Sequence, residues 1–232
     1  MDTTIDIDYL FTFSDGAAAE FPVSLDPQTL LLVPRRVQTP PAWAELERHR
    51  CSICPLPRDA GRWCPIAANL ADIVEEFKEY FSTEEVHVTV RTAERTYARR
   101  SSLQEGLSSL IGIIMVTSGC PVMERLKPMV RFHLPFATLE ETEFRMISMY
   151  LVAQYLRQQR RLVPDWDLVG LKGIYADVEV LNRSFAARLH DAAEKDANIN
   201  ALVKLDCFAK TIPLAAARRL HSFVADFASY LT

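Results

Sequence analysis

The sequence predicts an α+β fold, with a small, mostly N-terminal antiparallel sheet and a larger helical body. Three observations carry that reading. Residues 4–13 (TIDIDYLFTF) begin by alternating apolar and polar side chains, and 86–92 (VHVTVRT) alternate throughout, the period-two signature of half-buried strands. Beyond Ser102 the apolar residues recur at helical spacing instead. Hydrophobic residues make up 49% of the 232 and charged residues 24%, which supplies a core for one domain over residues 1–232. Within it, a strand-rich part runs to about residue 100 and a helical part from about 101.

Taken in order, the first strand ends at Ser14-Asp15-Gly16, a turn signal, and 18–24 (AAEFPVS) can run back beside it. Pro22 cannot donate to a ladder and marks that second strand as an edge. Residues 29–33 (TLLLV) can add a short strand, and Pro34, Pro40 and Pro41 punctuate a loop. Ala42–Arg50 reads as a short helix. Helix returns at Pro65–Phe81, with Ile66, Leu70, Ile73, Val74 and Phe77 on one face. Residues 95–99 can pair with the 86–92 strand.

Ser102 with Glu105 is a capping-box signature opening a helix to about Ser118, and Gly119 suits the position that ends it. A short helix is expected from Pro121 to about Val130. Thr138 with Glu141 opens a long helix to about Arg161, with Phe144, Ile147, Leu151 and Tyr155 as its apolar stripe. Leu168–Ala193, Ile199–Ala209 and Pro213–Leu231 complete the helical part.

Several function classes lose their support here. The formal net charge is −4, which argues against a polyanion such as nucleic acid as the default partner. Arg91, Arg95, Arg99 and Arg100 read as a solvated strand edge. The start, MDTTIDIDYL, lacks the positive end and apolar block of a secretory signal, and the most apolar run, Leu110–Val116, is far too short for a bilayer. The expectation is a cytoplasmic protein without a membrane partner, free to engage a protein partner or a second copy. Glycine numbers only 7, and no phosphate-cradling, zinc-protease or nucleophile-elbow motif is present, so no enzyme class is assigned.

The cysteines carry the sharpest signal. Reduced compartments keep thiols free, so five cysteines are not a disulfide framework by default. Cys51-x2-Cys54, Cys64 and the remote Cys120 can together supply the four thiolates that zinc and iron–sulfur clusters take. Cys54, Cys64 and Cys120 are each followed by proline. Pro65 and Pro121 fit the first position of a helix, so Cys64 and Cys120 would stand at or beside N-caps, where free N–H groups favour a thiolate ligand. Arg48, Arg50, Arg58 and Arg62 flank the loop and could offset the charge of such a site. Cysteine–proline pairs tilt the choice toward an iron–sulfur cluster over zinc, with haem third.

The bland readings stand beside this one. Buried or loop thiols with proline as a helix starter are the main alternative, and a catalytic dithiol the lesser one, since Cys51 follows a helix, whose negative end raises a thiol's pKa. Cys207 reads as a small buried hydrophobe. His133 and His49 are possible alternate ligands, His133 reading more readily as a hydrogen-bonded core residue. Asp165 and Asp167 read as helix-start carboxylates, and Met115, Met123, Met129, Met146 and Met149 as core filler rather than a copper site.

The stretch from Cys51 to about Gln158 (CSICPL, WCPIAANLADIVE, GCPVM, RFHLPFATLEETEFRMISMYL) resembles an uncharacterised bacterial family with Cys-x-x-Cys-Pro and Gly-Cys-Pro motifs. It covers under half the chain, and it implies no reaction and no assigned site. The expected function is therefore a metal-stabilised sensor or accessory protein with Cys51, Cys54, Cys64 and Cys120 as ligands of an iron–sulfur cluster or zinc. An interaction or scaffold protein with purely structural cysteines is the alternative, and a thiol redox enzyme the third reading.

Overall fold

The computed structural model describes residues 4–33 and 39–232, with the side chains of 212–219 and 221 left aside. Pro34 and the side chain of His221 lie outside the described residues. The architecture is α+β. Strands β1 (Ile5–Phe13), β2 (Ala18–Leu25), β3 (Glu85–Arg91) and β4 (Thr96–Ser102) form one antiparallel sheet in the order β2-β1-β3-β4. Five α-helices follow or interrupt them: α1 (Pro65–Glu76), α2 (Leu103–Thr117), α3 (Leu139–Gln159), α4 (Val169–Ala192) and α5 (Ala197–Ser222).

The alternation read from the sequence sets the sheet's inner face. Ile7, Tyr9 and Phe11 of β1 and Val86, Val88 and Val90 of β3 are buried, while Asp6, Asp8, Glu85 and His87 between them face outward. Pro22 sits opposite Asp8 on β2, which pairs on one side only, as its missing donor requires. Arg99 and Arg100 stand exposed on the other edge strand, β4.

The apolar run Leu110–Val116 becomes the centre of α2, a helix buried on nearly every side between the sheet and α5. Gly106 permits its close approach to the sheet. A Cβ there would lie 2.7 Å from Val88 and 2.8 Å from Phe11. Gly119, at φ +86°, ends the helix in the left-handed conformation its sequence position suggests. Phe77, just past α1, meets the rings of Phe11, Phe13, Phe21 and Tyr80.

Local signals and tertiary packing part company at several places. Residues 29–33 contribute a single bridge, Leu25 to Leu32, rather than a strand. Ala42–Ala44 forms one 3₁₀ turn where a helix to Arg50 is expected, and the segment after Pro121 is a turn followed by a 3₁₀ helix, Glu124–Met129. Ser102 caps α2 without a side-chain bond, and Glu105, the other half of the expected box, accepts from Lys204 of α5 at 2.9 Å. The box at Thr138 and Glu141 forms in full.

On α3, Phe144 and Tyr155 of the expected stripe are exposed, and the buried face is Glu143, Met146, Ile147, Tyr150 and Gln154. Tyr150 and Gln154 turn inward to hold Asp165: the Tyr150 hydroxyl donates to its carboxylate at 2.7 Å, and Gln154 accepts from its backbone N–H at 2.9 Å. The Gly170 N–H also donates to that carboxylate at 2.7 Å, so Asp165 acts as the helix-start residue it resembles. A single α5 covers Ile199–Ala209 and runs on to Ser222, and the rest of the second expected helix, to Leu231, is turn and a short 3₁₀ helix, Ala228–Tyr230. Cys207 is exposed on α5, not buried, because α5 turns Ala201, Leu202 and Ala209 inward instead.

Candidate metal centre

The nominated cysteines sit at three places in the fold, the 51–54 turn, the start of α1 and the end of α2. Cys64 is the N-cap of α1, in extended conformation with Pro65 at the first helical position, as the sequence suggests. Its N–H donates to the Ala44 carbonyl at 2.9 Å, and the Leu46 N–H to the Arg62 carbonyl at 2.8 Å, so the cysteine loop is laced to residues 44–46. Cys51 and Cys54 bound a turn closed by the Cys54 N–H donating to the Cys51 carbonyl at 3.0 Å. Cys120 follows Gly119 at the end of α2, and its carbonyl accepts from the N–H groups of Met123 and Glu124.

Electrostatics ties the remote cysteine to the others. Cys51 lies in the field of Cys64, Cys120 and Cys54, and Cys120 in the field of Cys64 and Cys54. Burial pushes the Cys51 thiol up to about 11, the nearby Cys64 adds to this, and the Ser184 hydroxyl of α4 opposes it. Burial also raises Cys120, against the N–H groups of Met123 and Val122, which favour its thiolate. Both therefore stand as thiols at neutral pH, the opposite of what a nucleophilic cysteine needs. Among the described residues, no group of three or more histidine, cysteine, aspartate or glutamate side chains is spaced to hold a metal ion.

The cation beside these sulfurs comes from the far end of the chain. Arg188 of α4 is 2% exposed and donates to the carbonyls of Trp43, Glu45 and Leu46 at 2.8, 2.6 and 3.0 Å. It lies in the field of Cys64, Cys51 and Cys54. The flanking arginines are engaged elsewhere. Arg48 pairs with Asp191 at 2.7 Å and Arg62 with Glu45 at 2.7 Å. Arg50 binds Glu47 and the Leu56 carbonyl, and Arg58 is exposed. His49 Nε2 lies 3.0 Å from Asp191, not at a sulfur. Arg188 carries no local signal in the sequence, since it reads as one polar residue on a long amphipathic helix.

His133 belongs to a different place. Its Nε2 lies 2.6 Å from the Tyr9 hydroxyl and 3.4 Å from Ser109 Oγ, which makes it the hydrogen-bonded core histidine anticipated above. Burial, with help from the nearby Arg145 charge, pulls its pKa down to about 3, so it is neutral at physiological pH. It lines a cavity of about 190 Å³ between α2, α4, α5 and the Glu124–Met129 turn. Met115, Met123 and Met129 are in its walls, so the methionines serve packing.

Among the described residues, no helix is long and apolar enough to cross a membrane. A family model described as Domain of unknown function (DUF6901) matches residues 7–228, and the chain belongs to that family. No curated protein and no solved structure matches it.

Proposed function

We propose that Cys51, Cys54, Cys64 and Cys120 bind a thiophilic metal, an iron–sulfur cluster or zinc, and that this family member is a metal-stabilised sensor or accessory protein. The observation that supports this is the mutual field of the four sulfurs, which extends to Cys120 across more than fifty residues of chain. Arg188 and the N–H groups of Met123 and Val122 supply positive charge to the thiolates that a metal would require. Loading would displace protons from Cys51 and Cys120, so metal affinity rises with pH.

A second reading has its own support. A part-buried and a buried thiol with raised pKa values, and no group among the described residues spaced for an ion, suit an interaction protein whose cysteines only fill space. Anaerobic purification with elemental analysis and an absorption spectrum separates the two. The metal reading expects stoichiometric iron with a broad visible band, or stoichiometric zinc without colour, lost when Cys51 and Cys120 are replaced by serine. Metal-free protein with all five thiols titratable and unchanged stability under chelation supports the second.

A further inference from the structure

The cavity beside His133 has a charge balance that selects a ligand. Its charged wall residues are Arg145, Lys204 and Glu105, and the last two cancel in an ion pair at 2.9 Å. That leaves Arg145. Its guanidinium donates to the carbonyls of Met129 and Phe132 at 2.7 and 3.1 Å, and the Glu141 carboxylate one turn back, which accepts from the Thr138 N–H, lies in its field without forming an ion pair with it. A half-buried cation satisfied only by carbonyls retains its full charge and attracts an anion.

Two further polar groups converge there. Asn182 of α4 is 2% exposed, lines the cavity, and its Oδ1 has no hydrogen-bond partner. Turning the amide over exchanges its oxygen for its NH2 group at no cost in shape. Tyr175, held protonated by burial, offers a hydroxyl close enough to Arg145 to feel its charge. Apart from Ser108, Ser109, Thr142, His133 and the Glu105–Lys204 pair, the remaining wall is apolar, and a void of this size matches a single ring.

We propose that this cavity binds a small monocarboxylate with a single-ring or short branched apolar body. Arg145 meets the carboxylate, Tyr175 and Asn182 complete its hydrogen bonds, and Met115, Leu126, Leu205 and Phe208 enclose the body. The site is independent of the cysteines, although Met123 joins one of its walls to the turn that follows Cys120.

The test is calorimetric titration of the full-length protein at neutral pH with benzoate and with benzyl alcohol, its uncharged analogue. Benzoate is expected to bind saturably and about tenfold or more tightly than the alcohol, and Arg145→Gln to remove that preference. Equal affinity for the two, or no benzoate binding at about 10 mM, overturns the proposal. Arg145 also ties two carbonyls, so its variant can fail to fold. Asn182→Leu gives up no bond at Oδ1 and intrudes on the cavity. It should weaken benzoate at least fivefold with folding intact by circular dichroism, and undiminished binding overturns the assignment.

Discussion

The cysteine region and the His133 cavity both bury titratable groups away from their charged forms, but they resolve the resulting tension differently. At the cavity, His133 stays neutral between Tyr9 and Ser109, and the wall cation outside any ion pair is Arg145, bonded to carbonyls. At the cysteines the cation, Arg188, is tied to three backbone carbonyls beside the sulfurs, and Cys51 and Cys120 keep their protons. The difference teaches what each region would accept. One offers room and a charge to an anion, and the other offers soft donors that must lose protons before they bind.

The largest effect expected from breaking this contrast is at Arg188. Arg188→Ala leaves three carbonyls of the 43–46 segment without a donor in a buried setting. It should cost on the order of 3–5 kcal/mol in denaturant unfolding. A loss under about 1 kcal/mol would mean that the loop carrying Cys51 and Cys54 is held by something else.

The next effect is on the acid side of the cavity. His133 has a folded pKa of about 3 against an ordinary value of 6.5. The folded state excludes the proton that the unfolded chain takes up, so stability is fully present above 6.5 and drains as pH falls toward 3. Between pH 6.5 and 5 the loss should be about 2 kcal/mol, ahead of the carboxylates, and His133→Phe should flatten it. A stability profile indifferent to that substitution contradicts the buried, neutral imidazole.

The smallest effect lies on the alkaline side of the cysteine region. With Cys51 raised from 9.0 to about 11, the reduced, metal-free protein keeps its stability below pH 9 and loses it as pH rises through 11. Cys51→Ser should remove that alkaline slope in thermal unfolding. Bound metal should remove it as well, because the thiol is then already deprotonated.

Much of this arrangement is legible in the sequence where local chemistry decides it. Alternation fixes β1 and β3, Pro22 the edge, Pro65 the start of α1, and Thr138 with Glu141 the start of α3. What escapes is set by distant partners. Glu105 accepts from Lys204 where a capping box is expected, and Arg188 reaches carbonyls more than 140 residues away. The inner face of α3 follows Tyr150 and Gln154 toward Asp165 rather than its most hydrophobic stripe. Cys64 as the N-cap before Pro65 is readable from Cys-Pro order, whereas Arg188 beside the cysteines and the cavity's charge balance emerge only once α4 is packed in place.

Metal content of the anaerobically purified wild-type protein, set beside that of the Cys51→Ser, Cys120→Ser double variant, bears most directly on the cysteine assignment. Stoichiometric iron or zinc in the first and none in the second is the expected result. Equal metal in both, or none in either, contradicts it.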